Sequence, residues 1–150
     1  MTDLGSQFVA ALAVKDTDRL VALFAPNVDF RAMTPGRFWE ADSPQRVVDE
    51  VPYQWFEPHD VIERVDHIEA GYVADRKRID YRFLVRSPDG LFLVEQRAYF
   101  DVDGASRIPT CAQSARGIGR SPIKRKPDTA EPGADGGRIR CRNALVCNHR

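Results

Sequence analysis

A chain of 150 residues with 43% apolar content is long enough for one domain on a single core and too short for two of ordinary size. No apolar run approaches the roughly 20 residues that cross a bilayer, and no basic stretch followed by an apolar block opens the chain, so membrane and secretory readings give way to a cytoplasmic one. The zero formal net charge hides a division: residues 1–104 carry 12 Lys/Arg against 19 Asp/Glu, whereas residues 105–150 carry 10 against 3, an acidic body and a basic tail.

Leu4, Phe8, Ala11 and Leu12 recur at helical spacing and predict a first amphipathic helix. After Lys15-Asp16-Thr17, where Asp16 or Thr17 can cap, Leu20, Leu23 and Phe24 predict a second. Between Asn27 and Met33, Val28, Phe30 and Ala32 alternate with Asp29 and Arg31, the pattern of a half-buried strand. Pro35-Gly36 turns the chain into a short strand over 37–40, and Ser43-Pro44 starts a third helix through Val47, Val48 and Val51, broken at Pro52. From residue 60 the period falls to two, predicting strands over 61–69, 74–86 and 91–102, the last two joined by the tight turn Ser87-Pro88-Asp89-Gly90. Ile79, Tyr81, Phe83 and Val85 take one face of their strand, and Val94, Gln96, Ala98 and Phe100 one face of the next.

Residues 105–136 are rich in Gly, Pro, Ser, Arg and Lys, with too little apolar periodicity to offset ordering entropy, and read as a loosely ordered basic insertion. Alternation returns through Ile139, Cys141, Asn143, Leu145 and Cys147, which predicts a closing strand over 137–147. One domain made of 1–104 and 137–150 follows, with an α+β fold: a curved antiparallel sheet whose concave face holds three helices from the N-terminal half. Cys111, Cys141 and Cys147 are odd in number and form no CxxC, and Cys141, Cys147 and His149 lack a fourth ligand, so free thiols and no metal are expected.

The element order resembles the nuclear transport factor two-like superfamily and, within it, the SnoaL-like proteins. Phe8-Val9-Ala10-Ala11-Leu12, Leu20 to Ala25, Asn27 to Phe30 and the block from Val94 to Gly104 carry the resemblance. It implies a cone that opens on a deep apolar pocket, dimerisation through the sheet, and isomerases, cyclases, hydrolases or noncatalytic binders that work without cofactors. Matching the motifs to the ketosteroid isomerase branch puts Phe8, Ala32 and Ala98 where that chemistry needs proton-transfer groups, which argues against that activity. The limonene epoxide hydrolase branch uses Arg-x-Asp on a long strand, a form present in Arg78-Ile79-Asp80, although alternation points Arg78 and Asp80 away from the core.

His67, flanked by Asp66 and Glu69, is the most titratable group of the body, so His67, Arg78 and Asp80 form the catalytic candidates, against a reading in which they belong to a solvated or interfacial face. Phe8, Trp39, Trp55, Tyr81, Phe83, Gln96 and Phe100 are the candidate ligand-binding set. Gln96 stands out as an amide on an apolar face, where either a ligand oxygen or Tyr81 can satisfy it. The basic tail lacks interleaved aromatics, which argues against nucleic acid as a partner. The sequence therefore leads to a pocket protein for a small apolar organic molecule, with acid-base activity open, and to a rival reading as a noncatalytic dimeric module.

Overall fold

The computed structural model describes residues 3–50, 56 and 59–120. Helix α1, Leu4–Ala13, begins where the Asp3 side chain accepts the Ser6 amide at 3.2 Å, and α2, Thr17–Leu23, begins where Asp16 accepts the Arg19 amide at 3.1 Å. Each carboxylate satisfies a backbone donor that the first helical turn leaves without a partner. Strand β1, Phe24–Thr34, follows at once, so Phe24, expected on the helix, starts the strand instead. The hairpin to β2, Arg37–Ala41, turns at Gly36 with φ +80°, and α3 occupies Pro44–Glu50.

Strands β3, Val61–Val73, β4, Arg76–Ser87, β5, Gly90–Phe100, and β6, Ile108–Arg120, complete one six-stranded curved sheet in the order β2-β1-β6-β5-β4-β3. All neighbours are antiparallel except β1 and β6, which run parallel, so the expected antiparallel sheet is in fact mixed. The three helices share one side of it: α1 lies against β3 and β4, α3 against β1 and β2, and α2 packs between them.

Strand β6 lies in the stretch read as loosely ordered, which corrects that reading for residues 108–120. The turn at Asp103-Gly104 leads straight into it. Asp103 accepts the amides of Ala105 and Arg107, both at 2.9 Å, and Ser106 takes φ +58°. The remainder of the insertion and the strand expected over 137–147 lie outside the described residues. Strand β6 was hard to see because its inward side chains, Cys111, Gln113 and Ala115, are small or polar; its two paired neighbours rather than its own hydrophobicity hold it in place.

Burial follows the pleat. Ile79, Tyr81, Phe83 and Val85 on β4, with Val94, Gln96, Ala98 and Phe100 on β5, face the helices, each less than 4% exposed. Strand β3 breaks simple alternation. Bulges between Ile62 and Arg64 and between Val65 and His67 put Val65 opposite Phe83 and Ile68 opposite Tyr81, both on the helix side, while His67 opposes Arg82 on the other. Unbroken alternation would put Val65 and His67 on one face; the extra strand residue between them resets the period.

Candidate functional site

The concave face carries a run of aromatic side chains. The rings of Tyr81 and Phe83 lie 5.1 Å apart, Phe8 meets Tyr81 edge-on at 6.3 Å and Phe24 at 6.1 Å, and Phe56 packs 6.2 Å from Phe83. Edge-to-face contacts of this kind add roughly 0.5–1.5 kcal/mol each to the area that the rings bury. Within this apolar lining sits one polar group of three. Gln113 Nε2 donates to the Tyr81 hydroxyl and, at 3.4 Å, to Gln96 Oε1. Register explains the meeting: Tyr81 pairs with Gln96 across β4 and β5, and Gln96 with Ala115, two residues from Gln113, across β5 and β6.

The trio stays neutral. Burial pushes the Tyr81 hydroxyl well above the ordinary phenol value, with the Cys111 thiol adding to the shift, and burial pushes Cys111 itself up to about 12. Both keep their protons at neutral pH because an anion there would lose its water, a cost that the charge of Arg76 on Cys111 offsets only in part. Gln96 Nε2 and Gln113 Oε1 are buried with no hydrogen-bond partner.

The opposite face of the sheet is charged. Arg78 meets Glu69 at 2.7 Å and Asp80 at 2.9 Å, Arg97 pairs with Asp80, Glu95 joins Arg82 and, at 2.6 Å, Arg116, and His67 lies 3.8 Å from Glu69. Cross-strand register sets these rows, since His67, Arg82, Glu95 and Arg116 stand opposite one another on four successive strands. They line an open groove of about 540 Å³. Asp80 holds Arg97 through Oδ1, while its Oδ2 lies 2.9 Å from Arg78 Nε without hydrogen-bond geometry, so these two buried atoms are left to a purely electrostatic contact.

The structure thus sorts the sequence candidates onto two faces. His67, Arg78 and Asp80 come together, but on the charged side; Phe8, Tyr81, Phe83, Gln96 and Phe100 come together on the concave side. Trp39 also faces inward from β2, where its indole N–H donates to Thr34 Oγ1 at 3.0 Å and the Arg37 guanidinium stacks 3.5 Å from the ring centre. Trp55, Cys141, Cys147 and His149 lie outside the described residues. Phe8, Ala32 and Ala98, the positions matched to the ketosteroid isomerase chemistry, are all buried and offer no proton. Sequence reasoning missed Gln113 and Cys111, both on β6. A buried amide among Cys, Ala and Gly carries no periodic signal, and only the neighbouring Gln96 hinted that a partner was required.

No family model and no curated protein matches this sequence. Solved structures do resemble it. An LEH-like epoxide hydrolase from M. tuberculosis has a TM-score of 0.53 at 14% identity over 75% of this chain and 79% of that one. A protein with a ketosteroid isomerase-like fold from Catenulispora acidiphila, solved in complex with trimethylamine, has a TM-score of 0.54 at 12% identity over 75% and 85%. A SnoaL-like family protein from Agrobacterium tumefaciens has a TM-score of 0.51 at 14% identity over 76% and 95%. At such identities the likeness speaks for architecture alone. Helix pair, hairpin, third helix and curved sheet together give this chain the ketosteroid isomerase-like fold of the SnoaL-like and nuclear transport factor two-like proteins.

Proposed function

We propose that this chain binds a small apolar organic molecule on the concave side of its sheet, among Phe8, Tyr81, Phe83 and Phe100, with Tyr81, Gln96 and Gln113 meeting the polar end of that molecule. The supporting observation is the polar trio itself: two buried amides placed in an aromatic lining, with capacity left over. Burying amides without full pairing costs about 1–3 kcal/mol per unmet group, so an apolar residue at either position would serve stability better. A binding role accounts for their presence. His67, Arg78 and Asp80 stand outside this site, because alternation on β4 sends Arg78 and Asp80, and the bulges of β3 send His67, to the opposite face of the sheet. The trimethylamine complex of the Catenulispora protein is a precedent for a small organic ligand on this fold.

Thermal-shift screening of the full chain against lipophilic metabolites tests the reading. A ligand at a hundredfold excess over its Kd stabilises by about 2.7 kcal/mol, a readily measured rise in Tm. The reading fails when no compound raises Tm, or when a binder is indifferent to both Tyr81→Phe and Phe83→Leu.

A second reading, a noncatalytic dimeric module, draws support from the charged face, which none of the three helices covers and which continues into exposed Met33 and Phe38 on β1 and β2. Sedimentation decides it: a dimer that Arg97→Glu dissociates supports the module, and a monomer removes it.

A further inference from the structure

We infer that the molecule received on the concave side is uncharged and presents a hydrogen-bond donor beside an acceptor, as a lactam or primary carboxamide does, and that Gln96 and Gln113 read that pair. This rests on the binding reading above and names the chemistry of its ligand.

Two observations carry it. The first is a hydrogen-bond count. In the arrangement described, Gln113 Nε2 is shared between the Tyr81 hydroxyl and Gln96 Oε1, leaving Gln96 Nε2 as a free donor and Gln113 Oε1 as a free acceptor. Amide oxygen and nitrogen are interchangeable in placement, so the alternative must also be counted. Turning both amides lets Gln113 Oε1 accept from Tyr81 and from Gln96 Nε2; the free atoms then become Gln113 Nε2 and Gln96 Oε1. Of the amide atoms, one nitrogen and one oxygen are left over in either arrangement. Turning only one amide would set like against like between the two side chains. The demand for a matching acceptor and donor therefore follows from the positions of the side chains and not from the assignment of their atoms.

The second is charge. Among the described residues the buried polar side chains are Thr34, Gln96 and Gln113, and Thr34 is already engaged by Trp39. Around the trio the concave side of β4, β5 and β6 offers Ile79, Phe83, Val94, Ala98, Phe100 and Ala115, while Lys77, on the same face, stands at the start of β4 opposite Phe100, where it acts on Asp3. An ionised ligand would lose its hydration, whereas a neutral amide exchanges its water for two amide partners. Carboxylic acids and amines are thereby disfavoured in their charged forms, and plain ketones or hydrocarbons leave a buried amide group unpaired.

Calorimetric titration of the full chain with caprolactam, cycloheptanone and N-methylcaprolactam tests this, since the first offers donor and acceptor and the other two only an acceptor on a ring of the same size. Caprolactam should bind about ten- to a hundredfold tighter than either. In the double variant Gln96→Met/Gln113→Met, chosen for similar volume, the preference for caprolactam over cycloheptanone should collapse. Equal affinities for caprolactam and cycloheptanone in the unmodified chain overturn the inference and leave the binding reading standing; binding of none of the three overturns both. A crystal structure with caprolactam in which one ordered water alone pairs the free amide atoms also overturns it. The comparison between ligands needs no variant, so a substitution that fails to fold does not remove the test.

Discussion

Raising the pH above 9 should destabilise this protein through one thiol, Cys111. Its side chain is 4% exposed on the concave face of β6, and burial lifts its pKa from 9.0 to about 12. The folded state therefore keeps this proton over a range in which the unfolded chain gives it up. Since the folded state binds more protons, stability falls as pH rises: the contribution is intact below pH 9 and is lost progressively up to about 12. For values of 9 and 12, the loss is about 1.4 kcal/mol at pH 10 and about 2.7 kcal/mol at pH 11, toward a limit of roughly 4 kcal/mol, using 1.36 kcal/mol per pH unit. Urea unfolding of the unmodified chain and of Cys111→Ala, under reducing conditions at pH 7, 9, 10 and 11, isolates this one group. Groups without a coupling to Cys111 affect both proteins alike, and the same pair on a Tyr81→Phe background removes the smaller coupling between Tyr81 and the thiol, so the difference between the two curves carries the thiol. Cys111→Ala starts at a disadvantage because it removes buried sulfur, and that disadvantage should shrink by about 1.4 kcal/mol between pH 7 and 10. A difference that stays constant over that range would refute the burial argument.

At the acid end the sign reverses. Burial pushes Glu95 up, yet hydrogen bonds and charge from Arg116 and Arg82 overrule it and hold its pKa below the ordinary 4.5, so its contribution is present above pH 4.5 and lost as pH falls; Glu95→Gln should flatten that limb of an acid denaturation curve. Phe83→Ala, at a position with no exposed surface and between Tyr81 and Phe56, should cost about 3–5 kcal/mol in chemical denaturation, a value under 1 kcal/mol showing that the site collapses freely. Truncation after Gly104 removes β6, the strand between β1 and β5, and should abolish cooperative unfolding by circular dichroism. Deleting residues 106–136 should do the same, since it also removes β6; a cooperative melt of the deletion would mean that another segment can take its place.

Most local structure was legible from periodicity and caps. Asp16 begins α2, Ser43-Pro44 begins α3, Gly36 turns the first hairpin, and alternation on β4 and β5 names their buried faces, because each signal depends on residues within a few positions of one another. The facing of β3 is set instead by its bulges, which are a property of its pairing with β4 and not of its own alternation.

The chain order alone determined that two helices, a hairpin, a third helix and long strands follow one another, and that Tyr81, Gln96 and Phe100 look the same way. Tertiary structure decided that β6 inserts between β1 and β5, that His67, Arg78 and Asp80 share a face apart from the aromatic lining, and that Gln113 reaches Tyr81. A central strand with small and polar side chains writes no hydrophobic rhythm into its own sequence. Its place comes from backbone hydrogen bonds to two partners remote along the chain, and only the folded sheet brings those partners together.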